Sequence, residues 1–537
     1  MRKRLWSFST GVAIGGLFLA LTHAAIPATR SLNPSRLSRT ASVDERFQSY
    51  NVEMAEVIGG NFWKPYAANS SVRSNAAPAS PTGSGARPAG IDPSLFEARP
   101  PIDLANPRLR RLAAALGPAY MRTSGTWANM VYFQEADAPP PSTAPQGFQG
   151  VLTRDEWKGV VDFAGAVNAK LVSSFTISPG VRDASGAWTP AQATRFVEFT
   201  KSVGGDIAAA EFFNEPNMPA FGGAPAGYTA ADYARDFAIF RMFAKATVPQ
   251  MQIVGPGSVG EGTLMKAMQG TAMSAGFVAT EQILSAQPKP VSDIFSYHHY
   301  GAASQRCAPM GAAAQTTADA ALTEEWLART DKSYEFYVAL RDRFEPSTPV
   351  WITETADSAC GGNPWASTFL DTFRYVDQLG RLAKRGVSVI FHNTLASSEY
   401  GLLDQNTFAP RPNYWTALLW HRLMGTTVLD AGSIGADLHV YAHCSPGARG
   451  GVTFLAINTN RTTPQSIELP QAADRYTLSA KALDATNVEL NGKTLRLQTD
   501  DALPEIPPVR QPAGQLSVAP ATITFLSIPS AANNVCR

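Results

Sequence analysis

Two glutamates carry the clearest chemistry in this chain of 537 residues. The run EFFNEPNM places Asn214 and Glu215 at the end of one β-rich stretch, and WITETAD places Glu354 at the end of another. Breaking a glycosidic bond needs such a pair of carboxyl groups. One is protonated and donates to the leaving oxygen, and the other is ionised and attacks or stabilises the anomeric carbon. In a retaining enzyme the two lie about 5–5.5 Å apart. A solitary Asn-Glu-Pro is more often a solvated surface acid, so the reading depends on whether the fold brings the two glutamates face to face.

The elements around them have the required order. Eight short apolar runs alternate with longer amphipathic stretches between about residues 47 and 425: SYNVEMAEV (49–57), AYMRTSG (119–125), AKLVSSFTI (169–177), IAAAEFFNEP (207–216), MQIVGPG (251–257), DIFSYHHY (293–300), VWITET (350–355) and VSVIFHN (387–393). Joined by helical segments such as RDEWKGVVDFAGAV and TFLDTFRYVDQLGRLAKRG, they predict an α/β fold, a (β/α)8 TIM barrel over residues 47–425. Glu215 then ends the fourth strand and Glu354 the seventh, so both reach the C-terminal mouth where such barrels place their active sites. Beyond residue 425, alternating runs such as LHVYAHC, GVTFLAINT, KTLRLQT and ATITFLSI predict a β-sandwich over 426–537. Two Pro/Ala/Ser-rich segments, 67–90 and 135–147, read as long loops.

The N-terminus begins with Arg2, Lys3 and Arg4, continues through an apolar run from Val12 to Leu21, and reaches Ala24 and Ala25. This is the pattern of a secretory signal peptide over residues 1–24, too short to anchor the chain in a membrane. Export to the periplasm or the medium is expected. Removing the leader takes the formal charge from +1 to −2, which leaves no broad basic field for a nucleic acid. An oxidising destination lets Cys307, Cys360, Cys444 and Cys536 form disulfides, for which three pairings exist, whereas metal-ligand spacings such as CxxC are absent. Neither a metal nor another cofactor is expected.

The motifs narrow the class. Asn-Glu-Pro on strand four with a glutamate on strand seven resembles glycoside hydrolase clan A. The stretches PAYMRTSGT, SYHHY, ETADSACGG, EYGLLD and PNYWTALLWHRLMGTTVL, with the final NNVCR, resemble the heparanase and β-glucuronidase family, family seventy-nine. The resemblance implies a barrel with a C-terminal sandwich to which residues 25–46 add strands. It makes Glu215 the general acid/base and Glu354 the nucleophile. Asn214 would bond the sugar 2-hydroxyl, Tyr300 would donate to the nucleophile, and Glu53 would contact glycone hydroxyls or serve as a salt-bridged structural acid. Thr126 and Asn129 are further candidates for the same pocket.

A glucuronate carboxylate would be held by the turn at Gly361 and Gly362 and by Tyr400. Ala359 and Cys360 stand where the family has a further tyrosine. A Cys307–Cys360 bridge between neighbouring loops would fix that turn, and a free thiol filling the lost tyrosine's space is the alternative; Cys444 would pair with Cys536 in the C-terminal region. Trp63, Trp127 and Trp365 follow strands one, two and seven, where an indole could stack on a sugar, while Trp415 and Trp420 read as core. His298 and His299 read as structural rim residues, since adjacent strand residues point to opposite faces. The expected activity is retaining, exo-acting β-glucuronidase on a glucuronate-bearing oligosaccharide or polysaccharide. The alternatives are a heparanase-like endo-enzyme, another clan A glycosidase, or a glycan-binding protein on an inactive barrel.

Overall fold

The structure is a computed structural model and describes residues 30–66, 92–267 and 276–537. The signal-peptide segment and the 67–90 loop lie outside the described residues. Eight parallel strands close into a barrel: β1 (Gln48–Asn51), β2 (Ala119–Thr123), β3 (Ala169–Ser174), β4 (Ile207–Glu211), β5 (Gln252–Val259), β6 (Ile294–Ala303), β7 (Val350–Ala359) and β8 (Val389–His392), with β8 pairing back onto β1. Helices such as Arg154–Ala166 and Phe369–Lys384 cross between consecutive strands. Thr153 caps the first of these, its hydroxyl accepting the Glu156 N–H, while the Glu156 carboxylate accepts the Thr153 N–H.

Of the strand boundaries that differ from the sequence reading, three bear on the site. The first strand ends at Asn51 because Glu53 begins a short helix, Met54–Ile58, where the Glu56 side chain accepts the Glu53 N–H at 2.7 Å. The fourth strand ends at Glu211, so Glu215 stands in the loop beyond it. The seventh strand runs on to Ala359, which places Glu354 within a strand. In the sandwich, KTLRLQT contributes only the two-residue strand Lys493–Thr494.

The C-terminal strands form one nine-stranded and one three-stranded sheet. Arg39–Ser42 joins the large sheet beside Thr427–Leu429, and Arg30–Ser31 joins the small one beside Gln465–Leu469. Strand Leu438–Cys444 is buried on both faces, and its alternation divides it cleanly. Val440 and Ala442 point into the sandwich core, whereas His439 and Tyr441 meet Asp377 on the barrel helix Phe369–Lys384. Cys444–Cys536 ties the chain's end to this strand, and Cys307–Cys360 joins the loop after β6 to the end of β7.

Candidate active site

The barrel mouth holds a cleft of about 780 Å³ whose lining includes Glu53, Thr126, Glu215, Tyr300, Glu354 and Tyr400. An oxygen of Glu215, one of Glu354 and a ring nitrogen of His298 lie within 4.8 Å of one another. Glu215 has φ of 52°, in the left-handed region that residues with side chains rarely occupy and that clusters at functional sites. Asn129 fixes this loop by bonding both the N–H and the carbonyl of Asn214, at 2.9 Å each. Asn129 is therefore a bracket beneath the site and is not among the residues lining the cleft.

Glu354 accepts hydrogen bonds from Arg122 Nη1 at 3.0 Å and from the Tyr300 hydroxyl at 2.6 Å. Two donors, one of them a guanidinium, are thus aimed at one carboxyl. Arg122 also donates through Nε and Nη2 to Glu211 Oε2, at 3.0 and 2.8 Å, and through Nη2 to the Asn214 side-chain oxygen at 2.7 Å. That last bond orients the Asn214 amide. Burial would raise the Glu211 carboxyl, but Arg122 and His298 outweigh it and hold Glu211 down at about 2.

His298 is fully buried at the centre, with Nδ1 3.0 Å from Glu215 Oε1, and so is not a rim residue. The strand alternation does hold: His299 turns the other way, to Ser333 on the helix Arg329–Phe344 at 2.8 Å. Burial opposes charge on His298, yet Glu354, Glu211 and Glu215 hold it up at about 9, whereas burial pushes His299 down to about 3. Glu215 is pushed above the usual carboxylate range, chiefly by burial and further by Glu354, with the His298 hydrogen bond acting in the opposite direction. The site thus pairs a carboxyl favoured to hold its proton with a carboxyl supplied with donors. The Arg122 guanidinium, 3.0 Å from Glu354, makes the same trio unfavourable for a metal dication.

Glu53 is pushed well above the usual range, first by burial and then by Glu354. Its bond is to an amide: Asn393 Nδ2 donates to it at 2.8 Å, and reaches the Tyr300 and Tyr400 hydroxyls at 3.0 and 3.2 Å. Asn51 in turn donates to the Asn393 side-chain oxygen at 3.2 Å, so a chain of amides and phenols leads from β1 to Glu354. The 361–362 turn is equally constrained. Gly361 and Gly362 have φ of 79° and 87°, and a Cβ on Gly361 would fall 2.6 Å from the Trp63 ring. Asp357 accepts the Asn363 N–H at 3.0 Å, and the Ser304 hydroxyl donates to the Cys360 carbonyl at 3.0 Å.

Trp63 and Trp127 line the cleft, whereas Trp365 is buried and is not among the lining residues. Trp415 and Trp420 are buried in the helix Pro412–Leu423. Sequence reasoning missed Arg122, Glu211 and Asn393 and misplaced His298. A charged residue inside an apolar barrel strand, as in AYMRTSG and IAAAE, was the available signal, because a buried charge persists only where it is paired.

Barrel, sandwich and facing carboxyl groups define a glycoside hydrolase. The fold is shared with the crystal structure of a 4-O-α-L-rhamnosyl-β-D-glucuronidase from Fusarium oxysporum 12S, at a TM-score of 0.58 and 12% identity over 94% of this chain and 99% of that one. Residues 100–380 match the family model for the N-terminal domain of glycosyl hydrolase family 79, and the chain belongs to that family. It is 26% identical to heparanase-like protein 1 of Arabidopsis thaliana over 81% of this chain and 86% of that protein. It is also 32% identical to the baicalin-β-D-glucuronidase of Scutellaria baicalensis, over 39% of this chain and 42% of that one.

Proposed function

We propose that this enzyme is a retaining, exo-acting β-glucuronidase. The observation that carries the reading is the approach of a Glu215 oxygen and a Glu354 oxygen to within 4.8 Å, which suits the separation of about 5–5.5 Å for double displacement better than the roughly 6.5–9.5 Å of an inverting pair. Glu215 donates its proton to the glycosidic oxygen as the bond from that oxygen to C1 breaks, and a Glu354 oxygen bonds to C1. Glu215, now ionised, takes a proton from water as the water oxygen attacks C1 and releases Glu354. The sugar leaves with its original anomeric configuration. Asn214, oriented by Arg122, is suited to bond the 2-hydroxyl, and Glu53, pushed toward its protonated form, is suited to bond a glycone hydroxyl.

Glucuronate as glycone is supported by the similarity to a baicalin-β-D-glucuronidase and by the Gly361–Gly362 turn beside Tyr400. Exo action is supported by the cleft lining, which among the described residues includes no Lys or Arg to track a sulfated chain. Two disulfides support function in an oxidising compartment after removal of the leader, and no described helix is long and apolar enough to cross a membrane. A panel of nitrophenyl glycosides tests the substrate. We expect turnover of the β-glucuronide, with the glucoside, xyloside and arabinofuranoside at least about a hundredfold slower; preference for any of these would overturn the glycone assignment.

A further inference from the structure

The cleft has two chemically different halves. On the side of β1, β2, β6, β7 and β8, Glu53, Thr126, Tyr300, Glu354 and Tyr400 bring hydroxyl and carboxyl groups in among Trp63, Trp127, Ala359 and Cys360. The opposite wall follows the neighbouring strands β4 and β5 and consists of Met218, Phe221, Val259, Gly260, Leu264 and Met265. None of these six has a polar side chain.

The apolar wall is firmly built. Asn217 Nδ2 donates to the Val259 carbonyl at 2.9 Å, and the Val259 N–H returns to Asn217 Oδ1 at 3.1 Å, so the loops after β4 and β5 are clamped together. The Met218 N–H bonds the Glu215 carbonyl at 2.9 Å, which starts the wall directly beside the acid. A group that protonates the leaving oxygen stands on the leaving group's side, so this wall faces the aglycone.

We infer that the aglycone accepted here is an apolar small-molecule alcohol or phenol, not another sugar of a polysaccharide. The inference rests on the glucuronidase reading and adds the leaving-group class to it. A sugar pressed against Met218, Leu264 and Met265 would lose water from hydroxyls that these side chains cannot re-bond, whereas an alkyl or aryl group gains by the same transfer.

Methyl, butyl and octyl β-glucuronides test this, because their alkoxide leaving groups differ little in basicity and differ mainly in apolar area. We expect kcat/KM to rise at least about tenfold from methyl to octyl, and F221Q and L264Q each to shrink that ratio. A flat series would overturn the inference, as would a glucuronyl disaccharide cleaved about tenfold faster than the octyl glucuronide. The matching glucosides are run alongside. If they alone are cleaved, the glycone reading has failed, and the octyl-to-methyl ratio in that series still reports on the wall.

Discussion

At the scale of single residues, chemistry depends on keeping two acids in different protonation states within one small volume. Arg122 and His298 stand among Glu211, Glu354 and Glu215, and burial pushes the Glu215 carboxyl toward its protonated form. With Glu215 as the proposed acid, its raised pKa sets the alkaline limb, and activity falls as pH rises through it. His298 lowers that pKa, so H298Q should move the alkaline limb of the kcat/KM profile upward; a limb that stays in place or moves down would contradict this. Y300F removes the 2.6 Å donor to Glu354 and should cost about 10–100-fold in kcat/KM, the range for a hydrogen bond to a charged group. The two glutamates were legible in sequence because Asn-Glu-Pro and Thr-Glu-Thr close apolar runs, although Glu215 stands beyond its strand and Glu354 within one. Arg122, Asn393 and the inward role of His298 were not, since they depend on contacts across the barrel between residues as much as 342 positions apart.

Among the elements, the loops are more informative than the strands. All eight barrel strands were visible as apolar runs, but their ends were not: apolar patterning continues past the last ladder bond of β1 and β4, beyond which the Glu53–Glu56 cap and the left-handed Glu215 stand, whereas β6 and β7 run on beyond their apolar runs. The loop after β6 and the end of β7 are joined by Cys307–Cys360, and Cys360 itself lines the cleft beside the 361–362 turn. A C307S/C360S double variant should lose about 2–4 kcal/mol of stability in chemical denaturation. Its KM for a glucuronide should rise about tenfold, with kcat changed less. A fall confined to kcat would show that the bridge serves something other than glycone binding.

For the whole molecule, barrel and sandwich share a buried polar seam. Asp377 accepts from His439 Nδ1, the Tyr441 hydroxyl and Arg381 Nε, each at 2.6 Å. Burial alone would raise this carboxyl, but His439 and Arg381 bring it down to about 2. A depressed folded pKa stabilises fully above the unfolded value of about 4 and is lost as pH falls through about 2. D377A should therefore cost about 3–5 kcal/mol at neutral pH, read by denaturant titration, and the deficit relative to the native chain should shrink on acidification through that window. The sandwich itself was readable from its alternation; the seam was not, because His439 and Tyr441 occupy positions that an ordinary sandwich would turn to solvent. In the proposed mechanism this scaffolding serves one event, attack by Glu354 on the anomeric carbon. The most direct test is mass spectrometry of peptides after incubation with a 2-deoxy-2-fluoro-β-glucuronyl fluoride, which slows release of a covalent intermediate. A glucuronyl adduct on Glu354 is predicted, and a label on another residue, or full inactivation of the enzyme with Glu354 unmodified, would contradict the account.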